Sequence, residues 1–115
     1  RAGGPDRKVT SAAKHISLHV DEAIAAIPDL ARCGFGRTDE VLVPAQDRVE
    51  SRFWFENHPA LRAAIERLSV AAGQLIADLD TTERLELDHL LAAERVVPPY
   101  LGGATGLAEL RSSPA

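Results

Sequence analysis

The chain has 115 residues, 45% of them apolar and 26% charged, with a formal charge of -4; this suits one domain around one core and excludes both wholesale disorder and a surface that is basic throughout. The single cysteine, Cys33, excludes an intrachain disulfide framework and a multi-cysteine zinc knuckle, and it fits a reducing cytoplasm. No stretch approaches the roughly 20 apolar residues of a membrane-spanning helix, so a cytoplasmic protein without membrane contact is expected. The excess of Arg over Lys, the abundance of Ala and Leu and the absence of Met suggest a high-GC bacterial source and a stretch that begins after the natural start.

Residues 1–10 are rich in Gly, Pro and charge and read as a flexible lead-in; residues 98–115, punctuated by Pro, Gly and Ser, read as an irregular tail. Between them, residues 11–97 form the expected single helical domain. From Lys14 two periods compete. Ile16, Val20, Ala23, Ile27 and Leu30 fit a helical face, whereas Ile16, Leu18 and Val20 alternating with His15, Ser17 and His19 fit a strand. Asp21 then caps a helix running towards Gly34, which Pro28 must kink or split because it removes a donor and clashes with the preceding turn. Beyond the turn-like GFGRT, residues 41–56 read as a β-hairpin rich in β-branched and aromatic side chains, or as a helix begun by Pro44 with Ala45, Val49 and Phe53 at i,i+4 spacing. Helix over 45–56 is the preferred reading.

The strongest signal is the heptad seam Leu61, Ile65, Leu68, Ala72, Leu75 and Leu79, with Asn57 as N-cap and Pro59 in the first turn. Asp80 followed by Glu83 is a capping box opening a second helix, which Pro98 and Pro99 must stop. The expected fold class is therefore mainly α: a small helical bundle built on an antiparallel αα-hairpin of residues 59–79 and 81–97, with room for a short β element in residues 14–56.

That hairpin carries more apolar surface than one core needs. Ala63, Val70 and Ala77 lie opposite the heptad seam with Gly73 nearby, and Leu85, Ala92 and Val96 lie opposite Leu87, Leu90, Leu91 and Val97. Either the N-terminal half covers this second stripe, or the stripe serves self-association or a protein partner. Phe53, Trp54 and Phe55 are consecutive and cannot all face one core, which makes Trp54 an interface anchor or a lid on the domain's own core.

Candidate chemistry is sparse. His15 and His19 at i,i+4 suit a shared metal on a helix but need a third ligand from Asp21, Glu22, His58 or His89, and a solvated or partly buried pair is the preferred reading. Cys33 reads as a small buried apolar residue. Glu94 falls within the Leu87/Leu91 stripe, where Arg84 or an N-terminal arginine would pair with it. No catalytic set, metal site or cofactor is assigned, and no Gly-rich phosphate loop joins a strand to a helix.

The run KHISLHVDEAIAAIPDLARCGFGRTDEVLVPAQDRV, residues 14–49, resembles the ribbon-helix-helix DNA-binding proteins: an alternating strand, a capped helix, a Gly-containing turn and a second helix opening with a small polar residue. The resemblance implies a dimer whose paired strands enter the major groove with His15, Ser17 and His19, while the N–H groups near Thr38 and Asp39 face phosphate. Pro28 and Pro44 fall inside the two helices that the family requires. The leading expectation is a non-enzymatic helical protein–protein interaction module, a small subunit, adaptor or regulator. Its alternatives are a dimeric DNA-binding regulator or antitoxin of ribbon-helix-helix type, and a small helical enzyme or metal-binding protein.

Overall fold

In a computed structural model of the chain, residues 7–39, 41 and 48–97 are described. Helix α1 runs Arg7–Ala26, a 3-10 helix covers Pro28–Cys33, and strand β1 is Gly36–Arg37. Helix α2 (Arg48–Asn57), helix α3 (Pro59–Ile76), helix α4 (Thr81–Ala93) and strand β2 (Val96–Val97) follow. The mainly helical bundle expected from the sequence is what forms, with one two-stranded antiparallel sheet pairing Gly36 with Val97 and Arg37 with Val96. The short β element lies inside the expected window. It is held by a partner from the far end of the domain.

Helix α1 replaces the strand reading of residues 14–20. A strand would bury Ile16, Leu18 and Val20 together; instead Ile16 and Val20 are buried with Val9, Ala12 and Ala13, and Leu18 is 49% exposed. The 3.6-residue period begins at Val9, which is 0% exposed, so Arg7–Thr10 belong to the domain and not to a flexible lead-in. Pro28 ends the helix as expected. Ile27, the residue before it, is driven out of helical geometry to φ -137 and ψ 84. Gly34 then closes the 3-10 helix in the left-handed conformation at φ 81, its N–H donating to the Ala31 carbonyl while the Phe35 N–H donates to that of Leu30.

Residues 48–57 are helical, in keeping with the preferred reading; residues 42–47, and with them the proposed start at Pro44, lie outside the described residues. Asn57 does not cap α3. Its amide donates to the Phe53 carbonyl at 2.9 Å, and His58 occupies the cap position without a side-chain bond, because Pro59 presets the first turn. The capping box at Asp80 forms as read: the Glu83 N–H donates to Asp80 Oδ1 at 2.8 Å and the Asp80 N–H to Glu83 Oε1 at 2.9 Å. Arg84 does not pair with Glu94. Its guanidinium donates to the Leu79 and Ile76 carbonyls at 3.0 and 3.2 Å, closing the C-terminal end of α3.

Helix α4 stops at Ala93, short of the expected Val97. Arg95 adopts φ 62, and the chain leaves in extended geometry, since two β-branched residues ahead of Pro98 favour a strand. Helices α3 and α4 follow each other in the chain as expected, but α1 lies along both of them and is the element that joins them.

Two apolar clusters share α3. Its C-terminal half (Ala72), with Leu79 in the turn beyond it, meets α1 and Leu87, Leu91 and Val96; its N-terminal half (Leu61, Ala64, Ile65, Leu68) meets Leu30, Cys33, Phe35 and Phe55. The heptad seam is buried along both, apart from the half-buried Leu75.

Candidate interaction surface

With its seam turned inward, α3 must present the opposite face outward. Ala63, Val70 and Ala77 are seven residues apart, two helical turns, and all three are exposed; Val70 is 61% exposed. A groove of about 700 Å³ runs along this face. Ala63, Val70 and Ala71 line it together with the charged Arg62, Glu66 and Arg67. Gly73 stands beside it, and a Cβ built there would meet nothing within 4 Å. A mid-helix glycine costs about 1 kcal/mol relative to alanine. Neither backbone strain nor contact within the described residues calls for a glycine at that position, and its absent side chain leaves open space beside the groove.

Helix α4 repeats the arrangement. Leu85 is 57% exposed, and Ala92, seven residues on, is exposed on the same face. Val96, read as the third member of that stripe, is instead 3% exposed: strand β2 carries it into the α1 core. The second apolar stripe of the sequence is thus divided. Its Val96 end is enclosed by the chain, while its α3 and upper α4 portions remain open.

Trp54 is half-buried against the second cluster. His58 stacks on it with ring centroids 4.0 Å apart, and the Arg32 guanidinium sits 4.5 Å from its ring centroid. Trp54 therefore caps its own core, and the exposed aromatic is its neighbour Phe53. The rule that one of three consecutive aromatics must face outward held; it did not say which.

The residues that the ribbon-helix-helix resemblance would put in a groove do not lie on one surface. His15 and His19 share the outer side of α1, where His15 Nδ1 is 2.8 Å from the Ser11 carbonyl and His19 Nδ1 is 3.9 Å from Glu22. Ser17 is buried on the opposite side, accepting from Arg37 Nη2 at 2.8 Å. The Thr38 N–H is directed to the Arg95 carbonyl at 2.8 Å, away from any phosphate.

Among the described residues no group of three or more His, Cys, Asp or Glu side chains is placed to hold a metal ion. Cys33 is buried, with Sγ 3.7 Å from the Ser51 carbonyl, and burial pushes its thiol from 9.0 up to about 12, opposite to what a nucleophile needs. Glu94 is exposed at the end of α4, contrary to the expectation of an apolar setting; it is its backbone carbonyl that is used, by Arg37 Nη1 at 2.9 Å. No helix among the described residues is long and apolar enough to cross a membrane.

No family model, curated protein or solved structure matches the chain. The functional reading therefore rests on the geometry of these surfaces. The small-residue centre of α3 was visible in the sequence from its seven-residue repeat. Its flanking charges, Arg62, Glu66 and Arg67, were not singled out, although a helical projection about Val70 would have placed them there.

Proposed function

We propose that this chain is a non-enzymatic protein–protein interaction module, a small subunit, adaptor or regulator that docks through the outer face of α3. The observation that carries this is the open groove along Ala63, Val70 and Ala71 beside a mid-helix Gly73 for which the described residues have no packing use. Exposed apolar surface shared with charged groups suits a docking site, in which apolar contacts are desolvated and polar groups stay at the rim. Shallow side chains on α3 favour close approach by another helix.

The test separates the two faces of one helix. Val70→Asp adds a charge at an exposed position and should leave the far-ultraviolet circular dichroism unchanged while abolishing association, whether with itself or with another protein. Leu68→Asp, on the buried seam, should unfold the domain, because it places an unpaired carboxylate among apolar neighbours. A photo-crosslinker at Ala63 that captures nothing in a Val70-dependent manner, on a chain that also sediments as a monomer, would refute the reading.

A ribbon-helix-helix regulator would need a groove-reading strand where α1 runs, and an enzyme or metal-binding protein would need convergent polar groups. Neither has a specific observation in its favour.

A further inference from the structure

Between α1 and α3 lies a further concavity, a cleft of about 350 Å³ that shares Arg67 and Ala71 with the outer groove and is otherwise separate from it. Small-ligand sites run from roughly 300 to 1,000 Å³ and are mostly apolar, with a few polar groups that fix orientation. Helix α3 supplies Ala64, Leu68 and Ala71 to this cleft, and the end of α1 with the residue after it supplies Ala23, Ala26 and Ile27. Ala64 and Leu68 are buried and Ala23, Ile27 and Ala71 half-buried, so the apolar lining reaches into the domain. The charged or titratable residues that line it are exposed and therefore stand at its mouth: Arg67 on the α3 wall, His19 and Glu22 on the α1 wall.

The two walls carry opposite charge without neutralising each other. Among the described residues Arg67 has no ion pair, and Glu22 has His19 Nδ1 at 3.9 Å, beyond hydrogen-bond distance. The α1 wall is negative for another reason as well: the helix ends there with no basic residue in its last turn, and Pro28 has no N–H to give to the last carbonyls. We infer that the cleft binds a small apolar zwitterion, an α-amino acid with a branched or aromatic side chain, its ammonium on Glu22 and the end of α1, its carboxylate on Arg67 and its side chain against Leu68 and Ile27. An amine or an acid alone would answer one wall and leave the other charge unmatched, and a guanidinium meets a carboxylate through a planar fork of donors. The inference stands independently of the docking role of α3. A ligand of about nine heavy atoms in so open a cleft is held with a Kd on the order of 1 mM.

The test is a titration of the isotope-labelled chain with L-leucine and with L-phenylalanine, followed by amide chemical shifts. Saturable shifts should centre on Ala23, Ala26, Ala64 and Ala71. Isoamylamine, which lacks the carboxylate of leucine, and isocaproate, which lacks its ammonium, should each bind about tenfold more weakly, as should leucine to Arg67→Gln and to Glu22→Gln. Ala26→Leu, at an exposed position, fills the cleft and should abolish binding with an unchanged circular dichroism spectrum. Val70→Asp lies outside the cleft and should bind the amino acid as the wild type does, whatever it does to association with a protein. Should Ala26→Leu fail to fold, the two exposed charge variants carry the test.

No saturable shift with either amino acid up to about 20 mM, some twenty times the expected Kd, overturns the inference. So do saturable shifts that centre on residues outside the cleft, or that Val70→Asp removes, because the site is then the outer groove. Binding of isoamylamine or isocaproate as tight as that of leucine, or binding unmoved by Arg67→Gln and Glu22→Gln, also overturns it, since the cleft would then be an apolar hollow that reads no zwitterion.

Discussion

Replacing Arg37 with Met removes a guanidinium that ties three elements together while keeping most of the apolar stem. Arg37 donates to Asp21 Oδ1 at 2.7 and 3.1 Å, to Ser17 Oγ at 2.8 Å and to the Glu94 carbonyl at 2.9 Å, so one side chain on β1 holds both α1 and the end of α4. The Asp21 contact is half exposed and screened by solvent, which limits it to about 0.5 kcal/mol. The bond to the buried Ser17 hydroxyl contributes about 1.5 kcal/mol, because losing the charged donor also leaves that hydroxyl without a partner among the described residues. The bond to the Glu94 carbonyl at the end of α4 adds about 1 kcal/mol. The sum, about 3 kcal/mol, is a large share of the roughly 5–15 kcal/mol that holds a domain together. Urea unfolding of Arg37→Met should show this loss with an unchanged denaturant slope, and a double-mutant cycle with Asp21→Asn should return a coupling of about 0.5 kcal/mol. A loss below about 1 kcal/mol would mean that Arg37 is an exposed ion pair and not a tie between elements.

Ser51 is buried, and its hydroxyl has no hydrogen-bond partner among the described residues, so Ser51→Ala should raise the unfolding midpoint, with a gain of about 1 kcal/mol by chemical denaturation; a destabilised Ser51→Ala would show that the hydroxyl is satisfied. Cys33 gives a pH dependence of definite sign. The unfolded thiol ionises near 9.0 while the folded one holds its proton to about 12, so its contribution to stability is complete below pH 9 and declines as pH rises towards 12. Cys33→Ala should flatten that alkaline decline relative to the wild type in denaturation measured across this range, and the wild-type thiol should react with iodoacetamide only as the domain opens.

Much of the helical architecture was legible because it rests on local rules. The heptad from Leu61 to Leu79 found the inner face of α3, Asp80 and Glu83 formed their capping box, and Pro28 ended the helix before it. Where the sequence misled, two local rules competed or a distant partner intervened. Residues 14–20 satisfy both periods, and the tie is broken by Val9, Ala12 and Ala13, which extend the helical one upstream. The outer face of α3 could be named from its seven-residue repeat, but whether anything in the chain covers it could not.

By itself the sequence determined that helices begin at Pro59 and after Asp80 and which side of α3 is buried, because periodicity, caps and prolines act within a few residues of themselves. Tertiary structure alone decided that α1 lies along both C-terminal helices, that Val96 turns inward as a strand against Gly36 and Arg37, and that Val70 and Leu85 stay open. Those outcomes depend on contacts between residues far apart in the chain, such as Arg37 with the Glu94 carbonyl. No local pattern carries that information, since a helix with two apolar sides looks the same in sequence whichever side its neighbours take.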